Sequence, residues 1–207
     1  AMLPKFITVA PADLYGNNQP EGKPLWTGTT GENVSEYITE KHIEAIDKIK
    51  DDNRSERDVL LIPTMPQFRT TRHIDGDVTF TENDAYKHCE DSIGAICDFD
   101  RRDYLFEIPY GTLVKQGWKN IITAGRSASA LGYGWDILRV IPPAIITGQA
   151  AGIAAALSID SGCDIADVDI AGLQKILSEQ GVDIHFDDGL IPEDINAAGE
   201  RFESDHI

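Results

Sequence analysis

Apolar positions along this chain change period several times, and each change marks an element. From Val34 to Ile49 they recur at three- and four-residue steps (Val34, Tyr37, Ile38, Ile43, Ile46, Ile49), which predicts an amphipathic helix over residues 31–50. Residues 59–62 (Val-Leu-Leu-Ile), closed by Pro63 and Pro66, read as a short buried strand. Ile74, Val78 and Phe80 around Asp75-Gly76-Asp77 read as a strand over 73–80 carrying a turn or bulge. Thr81 is an N-cap with Asp84 three residues on, a looser capping box, and predicts a helix to about residue 92. Strands follow at 104–108, ending at Pro109, and at 120–124, with turns at Gly111 and Gly117 between them. A helix over about 140–159 holds Pro142 and Pro143 in its first turn, where a missing N–H costs nothing, and Gly162 closes it. The last helix, about 169–180, ends at Gly181. The first thirty residues are Pro- and Gly-rich extended loop, with one strand expected at 5–10. Without a regular βαβ rhythm, the pattern predicts an α+β fold or a piece of a larger α/β protein.

Residues 121–157 carry the chemistry. A buried strand runs into a Gly/Ser-rich loop and then a helix of Ala, Gly and Ile. Such a helix packs its backbone close to another element or a ligand, and its N-terminus offers N–H groups and a positive dipole end to an electron-rich ligand. The spacing is not that of a full dinucleotide fingerprint: Gly132-Tyr-Gly134 lacks the third glycine and does not follow directly on a strand. The stretch 137–159 could pass for a membrane span, but Arg139, the proline pair, Gln149 and acidic flanks argue against one.

Composition narrows the class. A 42% hydrophobic content is ample for a core in 207 residues. The net charge of −17 excludes nucleic acid and anionic membrane as expected partners. Acid is densest at 183–205, with eight acidic residues against Arg201 alone, which reads as a solvated tail. Cys89, Cys97 and Cys163 form no CxxC pair, which points to a reducing, cytoplasmic setting and not to a disulfide scaffold or an iron–sulfur cluster. His88, Cys89 and Cys97 fit no zinc spacing, and no metal site is expected. Ala1 ahead of Met2 reads as a remnant of tag cleavage.

Five motifs stand in order: Arg69-Thr-Thr-Arg72-His-Ile74-Asp-Gly76, Ile108-Pro109-Tyr110-Gly-Thr-Leu113, Asn120-Ile-Ile-Thr-Ala124-Gly125-Arg126 with Ser129, Leu138-Arg139-Val140, and Gly148-Gln149-Ala150-Ala151-Gly152. In this order they resemble the C-terminal half of the FAD-dependent oxidoreductase family, flavoproteins with two dinucleotide-binding domains. The resemblance implies a partial substrate domain (1–110), then the last strand and helix of an FAD-binding, Rossmann-like α/β domain (111–182), then an acidic tail (183–207). It implies FAD as cofactor, with Gly125, Arg126, Ser129, Arg139, Val140, Gly148 and Gln149 around it and the 140–157 helix N-terminus facing the flavin pyrimidine ring. A helix N-terminus there favours the negative charge of reduced flavin. For each arginine a structural salt bridge remains the alternative, and for the glycines close helix packing. The family's GxGxxG pyrophosphate grip is absent from these 207 residues. The chain is therefore expected to be the C-terminal part of a longer flavoprotein, inactive and FAD-free alone. Its expected partners are a small-molecule substrate, the N-terminal half of the same protein, and a second copy met through the apolar helix.

On the substrate side, Arg69 or Arg72 would clamp a polar substrate or the flavin, or serve in ordinary salt bridges. His73 is a candidate general base, standing where the family tends to carry an arginine. Tyr110 would point its hydroxyl into the site or serve as a buried aromatic. The family often has Asp-x-His where this chain has Asp98 and Asp100, so that proton-handling role falls here to Asp100, to His73, or to nothing. The reaction expected is hydride transfer from a small polar substrate to flavin. The alternative is a non-catalytic acidic binding or assembly module that has lost the cofactor site.

Overall fold

The computed structural model describes residues 22, 26–53, 55, 56, 59, 61, 62, 64–66, 68, 70–101 and 103–193. The strand expected at 5–10, Arg69 and residues 194–207 lie outside them. The chain divides into two compact units, Ala1–Arg72 and His73–Ile207.

In the first unit, helix α1 (Gly31–Ile49) forms where the apolar period placed it. Thr30 caps it by accepting the Asn33 N–H at 3.2 Å, and Asn33 Oδ1 accepts the Gly28 N–H at 2.7 Å. Tyr37 is the buried side chain of its apolar face, ringed by Trp26 at 5.3 Å and Phe68 at 5.0 Å. Lys41 is also buried, with Nζ 5.6 Å from the Trp26 ring and 3.0 Å from Glu44, so its stem packs while its charge is met. Ile43 and Ile46 are half exposed. The expected strand at 59–62 does not form at residues 59, 61 and 62: they are irregular, and Leu61 is 78% exposed.

The second unit is mixed: a two-stranded antiparallel sheet with helices packed on it. Strand β1 (Ser92–Cys97) pairs with β2 (Leu105–Pro109) in the register Ala95↔Glu107 and Ile96↔Phe106. Residues 81–92 are not the expected helix. The capping box of Thr81 and Asp84 closes only the single 3₁₀ turn Glu82–Asp84, and the chain then leads into β1, which the pattern did not announce. The stretches 73–80 and 120–124 are not strands: the first bends at Asp77 and Val78, and Asn120 turns at φ +55°. They spend their backbone groups singly, Val78 N–H on the Gly111 carbonyl, Phe80 on Ser129 and Thr123 on Leu113, so no ladder builds. Phe80 and Ala130 form one isolated parallel bridge.

Helix α2 (Gly132–Leu138), also unannounced by the pattern, starts against Thr81 and Glu82. Helix α3 (Ile141–Ser161) matches expectation, with both prolines at its start and Gly162 closing it at φ +67°. By length and composition it is the one helix among the described residues that could cross a membrane. It instead lays Pro143, Thr147, Ala150, Ala154 and Ser158, spaced three or four apart, into the core. Helix α4 (Ile170–Glu179) buries Leu173 and Leu177. Phe80, Ile93, Tyr104, Phe106, Ile108, Leu113 and Ile137 complete that core. The stretch 183–190 is not a free tail at its start. Ala95 donates its N–H to the Asp183 carbonyl at 2.6 Å, Ser92 Oγ donates to the Ile184 carbonyl at 2.6 Å, and Ile184 and Phe186 are buried.

Candidate functional site

The loop after residue 124 and the start of α3 are held together locally. Ala124 is extended and Gly125 turns at φ +64°, so that Gly125–Ser127 makes one 3₁₀ turn. Gly125 donates its N–H to Thr147 Oγ1 at 2.9 Å, while that hydroxyl donates back to the Pro143 carbonyl at 2.7 Å. A Cβ on Gly125 would come 3.5 Å from the Ala144 methyl. The turn is thus clamped on the first turns of α3.

Helix α3 begins at Val140 with no side-chain cap and no acidic residue in its first turn. Pro142 and Pro143 carry no N–H, so the helix start offers its dipole and the Ile141 N–H more than a fan of donors. Along one stripe Ile141, Ile145, Gly148, Gly152 and Ala156 are exposed, and a Cβ on Gly148 or Gly152 would touch nothing within 4 Å.

Trp135 and His73 complete this neighbourhood, and Trp135 escaped the sequence reading. Its indole N–H donates to the Arg126 carbonyl at 2.8 Å, and the His73 ring stands edge-on to it at 4.6 Å. The Ile74 N–H donates to the Ser127 carbonyl at 2.9 Å. His73 Nδ1 lies 2.6 Å from the Ile74 carbonyl, so Nδ1–H donates there and Nε2 is the acceptor of the neutral ring. His73, Trp135, the 125–127 turn and the α3 start are therefore one assembly. The aromatic Gly-Tyr-Gly-Trp run was the available signal for Trp135, but its glycines drew it into the phosphate-loop comparison.

The other candidates lie elsewhere or are already engaged. Arg126 is exposed. Arg139 pairs with Asp136, Nε to Oδ1 2.6 Å. Buried Ser129 donates its N–H to the Thr112 carbonyl, and its hydroxyl meets Thr79 at 3.1 Å. Gln149 donates to Gln180 at 2.7 Å. Buried Tyr110 donates its hydroxyl to the Ile165 carbonyl at 2.6 Å, and burial, followed by the nearby Cys163, raises its pKa. Asp100 is exposed, and its N–H donates to Asp98 Oδ1 at 3.0 Å. Asp98 is fully buried and accepts the Tyr133 hydroxyl at 2.9 Å. Burial, then this bond, raises the Tyr133 pKa. Arg72 belongs to the first unit and donates to the Thr29 carbonyl.

Gly132-Tyr-Gly134 is not a phosphate cradle here. Glu82 occupies the α2 start, with Oε2 accepting the Gly134 N–H at 3.3 Å. A carboxylate already fills the place an anion would take.

The fold and this neighbourhood define a mixed α and β protein whose glycine turn abuts a small-residue helix. The model of the FAD dependent oxidoreductase family matches residues 34–177, well over half the chain, and the chain belongs to that family. No curated protein and no solved structure matches it.

The residues fit the flavin end of FAD. The uncapped, acid-free start of α3, beside a glycine turn and with open space over Gly148, is compatible with an electron-rich ring. A pyrophosphate loop is not among the described residues, since the Gly-x-Gly at 132–134 is closed by Glu82.

Proposed function

We propose that this chain supplies the flavin-facing helix and part of the substrate side of a cytoplasmic FAD-dependent oxidoreductase acting on a small polar substrate. The observation that carries the reading is the clamp of the Gly125–Ser127 turn on the uncapped start of α3, with His73 and Trp135 on the same turn. FAD, when bound, supplies a hydride acceptor. The α3 start favours negative charge beside it. His73 presents Nε2 as the proton acceptor, held in that tautomer by the Ile74 carbonyl. Trp135 fixes the ring, and Arg139, anchored on Asp136, sets the corner between α2 and α3. The pyrophosphate grip, in this reading, comes from another segment or another chain. The unpaired thiols of Cys89, Cys97 and Cys163 support a reducing compartment.

The test is to purify the chain with its native flanking sequence, titrate FAD by flavin fluorescence, and follow anaerobic bleaching with a panel of small hydroxy and amino compounds. Bound flavin that bleaches with one of them is expected. His73→Gln should slow bleaching by about 100-fold while leaving FAD bound. Arg139→Ala should weaken FAD binding or slow bleaching. A protein that stays colourless at saturating FAD would overturn the reading and favour a non-catalytic binding module, for which the internal engagement of Tyr110 already speaks.

A further inference from the structure

Strand β2 carries a carboxylate into the interior. The Glu107 side chain is 0% exposed, and a buried carboxylate must be met by donors or a cation. Its Oε2 accepts the Cys89 N–H at 2.8 Å. Its Oε1 faces two imidazoles at once, His88 Nδ1 at 2.5 Å and His185 Nδ1 at 2.9 Å. These three side chains come from the loop before β1, from β2, and from the segment after α4. One donor atom from each lies within 4.8 Å of the others. The remote nitrogen of His88 meets Asp188 Oδ1 at 2.8 Å, and Phe186 stacks on the His88 ring at 4.3 Å.

We propose that His88, Glu107 and His185 bind one divalent transition-metal ion of the zinc type, with Asp188 orienting His88 from behind. Two imidazoles and one carboxylate suit zinc and its neighbours, whereas calcium and magnesium want oxygen throughout. Two ring nitrogens crowd a single carboxylate oxygen, and a cation among the three uses all of them as ligands. A carboxylate on the far nitrogen of a metal-bound histidine is the usual outer support, and Asp188 supplies it. The rings of His88 and His185 are 44% and 50% exposed, so an ion can reach them and water can complete the coordination. On loading, His88 releases its Nδ1 proton to solvent and keeps Nε2–H on Asp188. His185, whose Nδ1–H faces the Glu107 carboxylate in the empty site, passes that proton to solvent, carries its remaining ring proton on Nε2 and ligates through Nδ1. The ion then ties residues 185–188 to β2, closing the loop between β2 and the end of α4. This site does not depend on the flavin reading, and His88, Cys89 and Cys97 spacing could not show it, because two of its ligands are Glu107 and His185.

The experiment is isothermal titration of tag-free, chelator-stripped protein with zinc chloride, with cobalt chloride as an optical probe and thermal unfolding in parallel. We expect one ion per chain, a visible cobalt spectrum, and a melting temperature that rises with zinc. His185→Gln, at a half-exposed position that leaves the fold intact, should weaken zinc at least tenfold and abolish the thermal shift. Asp188→Asn should weaken it by about tenfold while cobalt still binds. Absence of zinc binding would overturn the proposal and leave a hydrogen-bonded histidine–glutamate cluster. So would zinc binding that survives His185→Gln but is lost in Cys97→Ser.

Discussion

Trp135 donates its indole N–H to the carbonyl of Arg126 across 2.8 Å, joining helix α2 to the turn that abuts α3. The same ring carries His73 edge-on at 4.6 Å, so one side chain holds both the loop and the candidate base. Trp135→Phe keeps an aromatic ring, though a smaller one, and removes the donor, leaving that carbonyl without its indole partner. The expected cost is about 1 kcal/mol, read as a lower urea midpoint with unchanged slope. Trp135→Ala should also broaden the His73 ring signals in NMR spectra. Wild-type stability in Trp135→Phe would remove Trp135 from this role.

Two glycines of the second unit should respond to alanine with opposite sign. A Cβ at Gly134 lands 2.5 Å from the Thr81 Cα, and backbone cannot yield there. Gly134→Ala is expected to cost about 1–3 kcal/mol by forcing α2 off Thr81. Gly152 lies within α3 with nothing within 4 Å of its added methyl. Gly152→Ala should stabilise by about 0.5–1 kcal/mol through helix propensity. Thermal unfolding of the two variants side by side decides the matter, and shifts of equal sign would contradict the packing described.

Tyr110 and Tyr133 should resist ionisation until the protein unfolds. Each phenol has its pKa raised above the ordinary value near 10, chiefly by burial, with the Asp98 bond adding to it for Tyr133. For a group raised in this way the contribution to stability is complete below pH 10. It is lost as pH climbs toward the folded-state value. Spectrophotometric titration should therefore show two late phenols that appear together with loss of the circular dichroism signal. Tyr110→Phe should delete one of them and cost about 1–2 kcal/mol, since the Ile165 carbonyl loses its buried donor. Early, independent titration of both tyrosines would disprove their burial.

The cysteines should differ in reactivity. Cys97 is exposed at the end of β1, while burial, with help from the Asp91 and Glu107 carboxylates, pushes the Cys89 thiol up to about 12. Since the thiolate is the reacting species, iodoacetamide at mildly alkaline pH should label Cys97 first and Cys89 last. Mass mapping of the alkylated peptides reads the order, and prompt labelling of Cys89 would refute it.

Local signals in the chain were enough for its long helices. The apolar period of α1, the proline pair and Gly162 around α3, and Gly181 after α4 act within a few residues, and tertiary packing did not override them. The capping box at Thr81 and Asp84 was equally legible, yet it made one turn, because a cap starts a helix and only packing prolongs it. Residues 73–80 and 120–124, like 59, 61 and 62, have strand-like composition, yet among the described residues no strand builds a ladder with them. Pairing is a property of two segments, and β1 found its partner only through β2.

The same distinction divides the sites. Gly125 and the small residues of α3 could be recognised from their neighbours in the chain, and the family assignment rests on a match that runs over residues 34–177. Tyr110 on Ile165 and His185 on Glu107 join residues 55 and 78 apart in the chain, and even Trp135 on Arg126 spans nine. Periodicity carries no information about such contacts, because side chains separated along the chain meet only when the core closes and sets the distance between them.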